Sequence, residues 1–140
     1  MVIRLHRGQL DWFRRKARRE SPREILAYLI GLRLTPNIIS VSYFVYPELS
    51  ASTPTLVEVD CGVSREVHDE ATDRGLVVLG SIHSHTPPDP STVLSECDHV
   101  NHRQNGDLVT GVVAVKEGKR SETTFWVADS SLPCKVEYFE

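Results

Sequence analysis

His83 and His85 stand two residues apart at the end of an apolar run, and Ser95 and Asp98 stand three apart a short way downstream. Residues 76 to 85 read Leu-Val-Val-Leu-Gly-Ser-Ile-His-Ser-His, the pattern of a buried strand. In a strand, positions i and i+2 face the same side, so both imidazoles project together at its carboxyl end. Residues 92 to 104 read as a helix, where positions three apart share a face, which aligns Ser95 with Asp98. The intervening Thr86-Pro-Pro-Asp-Pro-Ser91 is stiff and can fold the helix start back over the histidines. Two imidazole nitrogens and one carboxylate suit Zn2+, and three protein ligands leave a fourth position for water. Such a site carries a net charge of about +1 and lowers the pKa of its water toward roughly 7. One zinc per chain is expected, held by His83, His85 and Asp98.

Amide hydrolysis also requires a proton for the leaving amine, hence a general acid/base beside the water. Glu24 is the candidate. It follows Pro22 at the entrance to an otherwise wholly apolar stretch, where an unpartnered charge would be costly. Ser95 can donate a hydrogen bond to an oxyanion.

These residues need elements to position them. Val2 to Leu5 reads as a strand. In Gln9 to Glu20, Leu10, Phe13 and Ala17 form a helical stripe that Ser21-Pro22 ends. Residues 24 to 34 are continuously apolar after the glutamate, as in a strand covered on both faces. Residues 38 to 46 form a further strand and 47 to 55 a loop. Residues 63 to 74 form a helix capped by Gly75, and 108 to 115, 123 to 128 and 135 to 139 are strands. The order β-α-β-β-α-β-α-β-β-β makes an α/β fold of the mixed α+β kind, a mixed sheet flanked by helices in a single domain over 1–140. Trp12, Phe13 and Trp126 read as core.

Bulk composition fits this picture. A 140-residue chain with 40% hydrophobic and 25% charged residues is globular and long enough to need no disulfide staple. The three cysteines, Cys61, Cys97 and Cys134, form no C-x-x-C pair, which argues against a disulfide framework or a thiolate zinc knuckle. Cys97 reads as a packing residue. With a formal net charge of -3, nothing suggests a nucleic-acid partner. The basic run Arg14, Arg15, Lys16, Arg18, Arg19 reads as a solvated helix face, with an acidic partner as the alternative. Neither a membrane span nor an apolar leader stands out, so the chain is expected to be cytoplasmic and reduced. His99 and His102 read as exposed polar positions rather than a second metal site, and Asp89 as a residue at the rim of the site.

Glu24, then His83-Ser-His85, then Ser95-Glu-Cys-Asp98 resemble the JAMM motif of MPN-domain metalloproteases, Glu, His-x-His, Ser-x-x-Asp. The context of the glutamate is similar as well. The family shows Pro-x-Glu-x-x-Gly-x-Leu-x-Gly where this chain has Pro22-Arg-Glu24-Ile-Leu-Ala27-Tyr-Leu29-Ile-Gly31. The resemblance spans nearly the whole chain. It implies the MPN/JAMM fold, a curved mixed sheet flanked by helices in cytidine-deaminase-like layering. It also implies His83, His85 and Asp98 as zinc ligands, Glu24 as general acid/base, and Ser95 as support for the tetrahedral intermediate. The substrate implied is a ubiquitin-like or sulfur-carrier protein, cut at an isopeptide or peptide bond after its C-terminal glycine. Three departures stand out: Thr86 where a proline often follows His-x-His, Ala27 for glycine, and a nine-residue gap between His85 and Ser95 that exceeds the eukaryotic one. The compact chain is of the prokaryotic or phage type.

Other metal folds fit less well. Zinc deaminases need His-x-Glu with Pro-Cys-x-x-Cys, which are absent. Metallo-β-lactamases want Asp and His where Pro87 and Pro88 stand. Cupins use His-x-His in an all-β jelly roll, against three helical segments here. Two other readings stay open: a non-catalytic MPN scaffold that pairs with another subunit, and a metal hydrolase acting on a small amide or a sulfur-carrier conjugate.

Overall fold

The apolar runs pair edge to edge into one mixed sheet of seven strands. The computed structural model describes the chain except Pro88, Asp89, Asp129, Ser131 and Glu140, and except the side chains of Cys97, Asn101, His102 and Arg103. Asp89 and the side chains of Cys97 and His102 therefore lie outside the described residues.

The elements are β1 (Val2–His6), α1 (Arg7–Glu20), β2 (Leu26–Thr35), β3 (Ile38–Val45), β4 (Ala51–Ser52), β5 (Val57–Glu58), α2 (Cys61–Asp73), β6 (Val77–His85), α3 (Glu96–Asn105), β7 (Val109–Ala114), β8 (Glu122–Val127) and β9 (Lys135–Phe139). The sheet order is β8-β7-β6-β2-β3-β1-β9. The β1–β3, β1–β9 and β6–β7 pairs are parallel, and β2–β3, β2–β6 and β7–β8 are antiparallel. The expected order of elements holds, with one addition. Within and just after the segment read as a loop, β4 and β5 form a two-stranded antiparallel ribbon. Strands of two residues carry too little periodicity to be read from a sequence.

Alternation in β2 explains why its sequence is continuously apolar. Ala27 and Leu29 enter a core with Leu10, Phe13 and Ala17 of α1. Tyr28 and Ile30 enter a smaller one with Val67 and Ala71 of α2. Cover on both faces ends at Gly31, however, and Leu32 to Thr35 are exposed. Gly31 is the last β2 residue paired with β6, so the rest of the strand has β3 alone beside it. Trp12 is likewise outside the core at 48% exposure, whereas Phe13 is fully buried. Their spacing set the two apart: Phe13 lies in the Leu10–Ala17 stripe and Trp12 beside it.

Two local devices fix the central strands. Gly75, with φ of 73°, ends α2 as expected, while Leu76 N–H donates to the Ala71 carbonyl and Gly75 N–H to the Thr72 carbonyl. Gly80 lets β6 approach β7 closely: a Cβ there would sit 1.8 Å from the Val109 carbonyl oxygen. That contact begins the register Gly80↔Val109 that carries His83 and His85 to the end of the sheet beside Val112 and Ala114.

Candidate metal centre

The strand register brings the site together. Ile82 belongs to the core under α1, so His83 and His85 project from the opposite face of β6. On β2, Leu26 pairs with His83, and the pairing runs on past the end of the strand. Ser84 N–H donates to the Ile25 carbonyl at 3.0 Å, and Ile25 N–H donates to Ser84 Oγ at 2.9 Å. Extending that register by one residue sets Glu24 opposite His85 on the same face. The serine between the two histidines thus holds the segment that carries the glutamate. That a serine inside a buried strand needs a partner was the available signal for it.

His83 Nε2, His85 Nε2 and Asp98 Oδ2 form a triangle with edges of 3.1, 3.2 and 3.3 Å. His85 Nδ1 lies 2.8 Å from the Ser91 carbonyl oxygen, which can only accept, so this nitrogen carries a proton. Nε2 of the neutral ring is then a lone pair aimed at a second nitrogen and a carboxylate oxygen. Three electron-rich atoms so placed call for a proton or a cation at their centre. They form the one group of this kind found among the described residues able to hold a metal ion. A tetrahedral cation about 2.0–2.1 Å from each donor would space its ligands about 3.3 Å apart, which the triangle matches.

Asp98 reaches the histidines through a capping box. Ser95 N–H donates to Asp98 Oδ2 at 2.9 Å, and Asp98 N–H donates to Ser95 Oγ at 3.0 Å. The helix begins at Glu96, not at Thr92 as expected from sequence. Ser95 is therefore its N-cap rather than a helical neighbour of Asp98, and it is exposed. Its Oγ accepts from Asp98, which leaves its own proton free to donate. The preceding segment is held down instead: Leu94 is buried, and Trp126 Nε1 donates to the Thr92 carbonyl at 2.7 Å. Trp126, read as core, is half-buried and serves this loop. Its indole N–H, which a buried tryptophan must satisfy, was the readable hint.

Electrostatics follow from the burial. Burial by itself would raise the Asp98 carboxyl, but hydrogen bonding with His83 and His85 and the Ser95 N–H hold it far below the usual carboxylate range. His85 is shifted up: burial opposes its charge, but Asp98, the Ser91 carbonyl and Glu24 outweigh that. A proton on His85 is favoured by the Asp98 carboxylate beside it. Glu24, 8% exposed, is raised chiefly by burial, tempered by His83 and His85 and reinforced by Asp98. A buried carboxyl raised in this way is a candidate for taking and giving protons.

A groove of about 640 Å³ opens beside His83 and Asp98. Leu26 and Tyr28 line it from β2, Leu56, Val57 and Val59 from in and beside the ribbon, and Arg65 and His68 from α2. His99 is half-buried on α3 and belongs to no metal-holding group among the described residues. Cys61 and Cys134 are free thiols. The basic run is largely engaged within the chain. Arg14 bonds Thr123 and Asp11, Arg18 bonds the Lys119 carbonyl, and Arg15 and Arg19 lie 5.7 and 5.9 Å from the Trp12 ring. Among the described residues no helix is long and apolar enough to cross a membrane.

Comparison with known proteins defines the class. Residues 6–129 match the family described as prokaryotic homologs of the JAB domain, and the chain belongs to that family. A solution structure of protein DSY2949 from Desulfitobacterium hafniense is similar, with a TM-score of 0.78 at 20% identity, covering 99% of this chain and 93% of that one. The crystal structure of AF2198, a JAB1/MPN domain protein from Archaeoglobus fulgidus, is similar with a TM-score of 0.61 at 18% identity, covering 99% and 97%. The fold is thus the JAB1/MPN fold, as the motif implied. No curated protein sequence matches the chain.

Proposed function

We propose that this protein is a zinc-dependent metallopeptidase that hydrolyses a peptide or isopeptide bond. The observation that carries the reading is the triangle of His83, His85 and Asp98 with a buried, raised Glu24 on the same face of the sheet. The donor set of two imidazoles and one carboxylate, with ligand spacings near a tetrahedral edge, fits Zn2+. Zinc held there supplies the Lewis acidity that polarises a carbonyl and makes water a nucleophile near neutral pH.

The protein's own residues do the rest. His85 is fixed in orientation by the Ser91 carbonyl, and Asp98 by the Ser95 N–H. Glu24 as carboxylate takes a proton from the attacking water and passes it to the leaving nitrogen, so the amine departs neutral. Ser95 directs its free hydroxyl proton to the oxygen of the tetrahedral species. The groove along β2 and the ribbon accommodates an extended chain. We assign it to the C-terminal tail of a ubiquitin-like or sulfur-carrier protein, cut after its terminal glycine.

The test is elemental analysis of wild type, Asp98→Ala and Glu24→Gln, each purified without added metal, followed by cleavage assays on ubiquitin-like and sulfur-carrier conjugates. Expected are about one zinc per chain in wild type and Glu24→Gln and little in Asp98→Ala. Turnover should fall about 10²–10⁴-fold in Glu24→Gln. A folded wild type that refuses added zinc would leave the chain as a non-catalytic scaffold. Full turnover in Glu24→Gln would remove the glutamate from the mechanism.

A further inference from the structure

Resting on the reading of Glu24 as general acid/base, we propose that Thr86 is its positioning residue, acting through a single buried hydroxyl that ties three chain segments. Thr86 follows His85 directly and is 5% exposed. Its Oγ1 donates to the Pro22 carbonyl at 2.8 Å and lies 3.3 Å from the Pro54 carbonyl oxygen. Pro22 is two residues before Glu24, and Pro54 lies in the turn of the β4–β5 ribbon. Neither belongs to the seven-stranded sheet.

The same ribbon holds Glu24 by its backbone. Glu24 N–H donates to the Thr53 carbonyl at 2.9 Å, and Ser52 Oγ donates to the Glu24 carbonyl at 2.8 Å. Glu24 is therefore gripped from two sides. Ser84 and Ile25 continue the ladder on one side, and the ribbon closes the other. Thr86 is where these two supports meet, because its hydroxyl reaches both the chain entering Glu24 and the ribbon tip. A proline at this position, as the related motif often has, could supply no such donor. The ribbon flanks Leu56, Val57 and Val59, which line the groove, so one hydroxyl links the wall of the groove to the carboxylate. A displacement of about 1 Å at a catalytic group is enough to cost about 10²-fold in rate, which makes such a tie consequential.

The test compares Thr86→Val, which keeps the shape and removes the hydroxyl, with Thr86→Ser, which restores it. Amide hydrogen exchange is followed on the zinc-loaded protein, alongside turnover. In Thr86→Val, exchange at Glu24 and Thr53 should rise about tenfold, as expected for one lost buried hydrogen bond, while Val112 in β7 stays unchanged. Zinc content should stay at the wild-type level, kcat should fall at least tenfold with KM within twofold, and Thr86→Ser should recover both readouts. Wild-type exchange at Glu24 and Thr53 in Thr86→Val overturns the tie. Faster exchange with wild-type kcat overturns the positioning role. If the wild type itself cleaves nothing, the peptidase reading fails, and the exchange of these two amides still decides whether Thr86 holds the segment. Thr86→Ala removes the same hydroxyl and demands no extra room, and it replaces the valine variant if that one does not fold.

Discussion

The two faces of the central strands serve opposite ends from adjacent residues. On one face Ile25, Ala27, Leu29 and Ile82 are sealed under α1 with Phe13 at the centre. On the other, Leu26 and His83 line a groove beside Asp98, and α2 covers this face only in part, through Val67 and Ala71. A single step along β6, from Ile82 to His83, passes from solvent-free packing to a triad able to hold a metal ion. The larger core lies where α1 closes the sheet, and the candidate site lies where closure is incomplete. Because strand alternation allots neighbouring residues to opposite faces, the two can be tuned separately.

That separation can be broken or sharpened experimentally. Phe13→Ala should cost about 3–5 kcal/mol of unfolding free energy by leaving a cavity under α1, read from denaturant midpoints. The folded fraction should bind zinc as the wild type does; loss of zinc affinity at matched folded fraction would show that the faces are coupled.

The pH dependence should differ between metal-free and loaded protein. His85 is raised above its ordinary 6.5, so in the metal-free state it stabilises the fold below the unfolded value, and this contribution disappears as pH rises through the folded one. Asp98 is lowered from 3.8, so its contribution is present above that value and is lost as pH falls through the folded one. Thermal melts of chelated protein should accordingly weaken above neutral pH, where His85 loses the proton that Asp98 favours, and zinc should restore stability there. Zinc affinity should fall about tenfold per pH unit per displaced proton below the raised pKa of His85. A chelated protein equally stable at pH 6 and pH 9 would remove the proton from the triangle.

The smallest effect should come from the cap. Ser95→Ala is expected to cost about 1 kcal/mol through the lost N-cap and to weaken zinc binding modestly, because Asp98 then loses the helix start that aims it. Ser95→Asp, a competent cap, should recover stability but not the hydroxyl donation proposed in turnover. Equal recovery of turnover would confine Ser95 to capping.

Much of this was legible without coordinates. Periodicity alone marked Phe13 as core and put the imidazoles of His83 and His85 on one side, since side-chain direction in a strand is local. The Ser-x-x-Asp spacing pointed to Asp98, although its local meaning is a capping box rather than two residues on one helical face. Less was legible where contacts are distant in sequence. The β4–β5 ribbon lies partly in the loop expected over residues 47 to 55 and partly just after it, and its strands are stabilised by each other and by Glu24 rather than by pattern. Exposure of Leu32 and Leu34 depended on where β6 begins, which nothing inside β2 records.

The sequence by itself determined the donor types, their order along the chain and the strand that presents the histidines, because these follow from side-chain chemistry and from backbone periods of two and 3.6 residues. Only the tertiary structure decided that Glu24 lies near enough to His83 and His85 to interact with them, that Trp126 holds the Thr92 segment and that Thr86 ties Pro22 to Pro54. Those contacts join residues 32 to 64 positions apart. Register and closure across such distances are set by the packing of the whole sheet, and no local pattern encodes them.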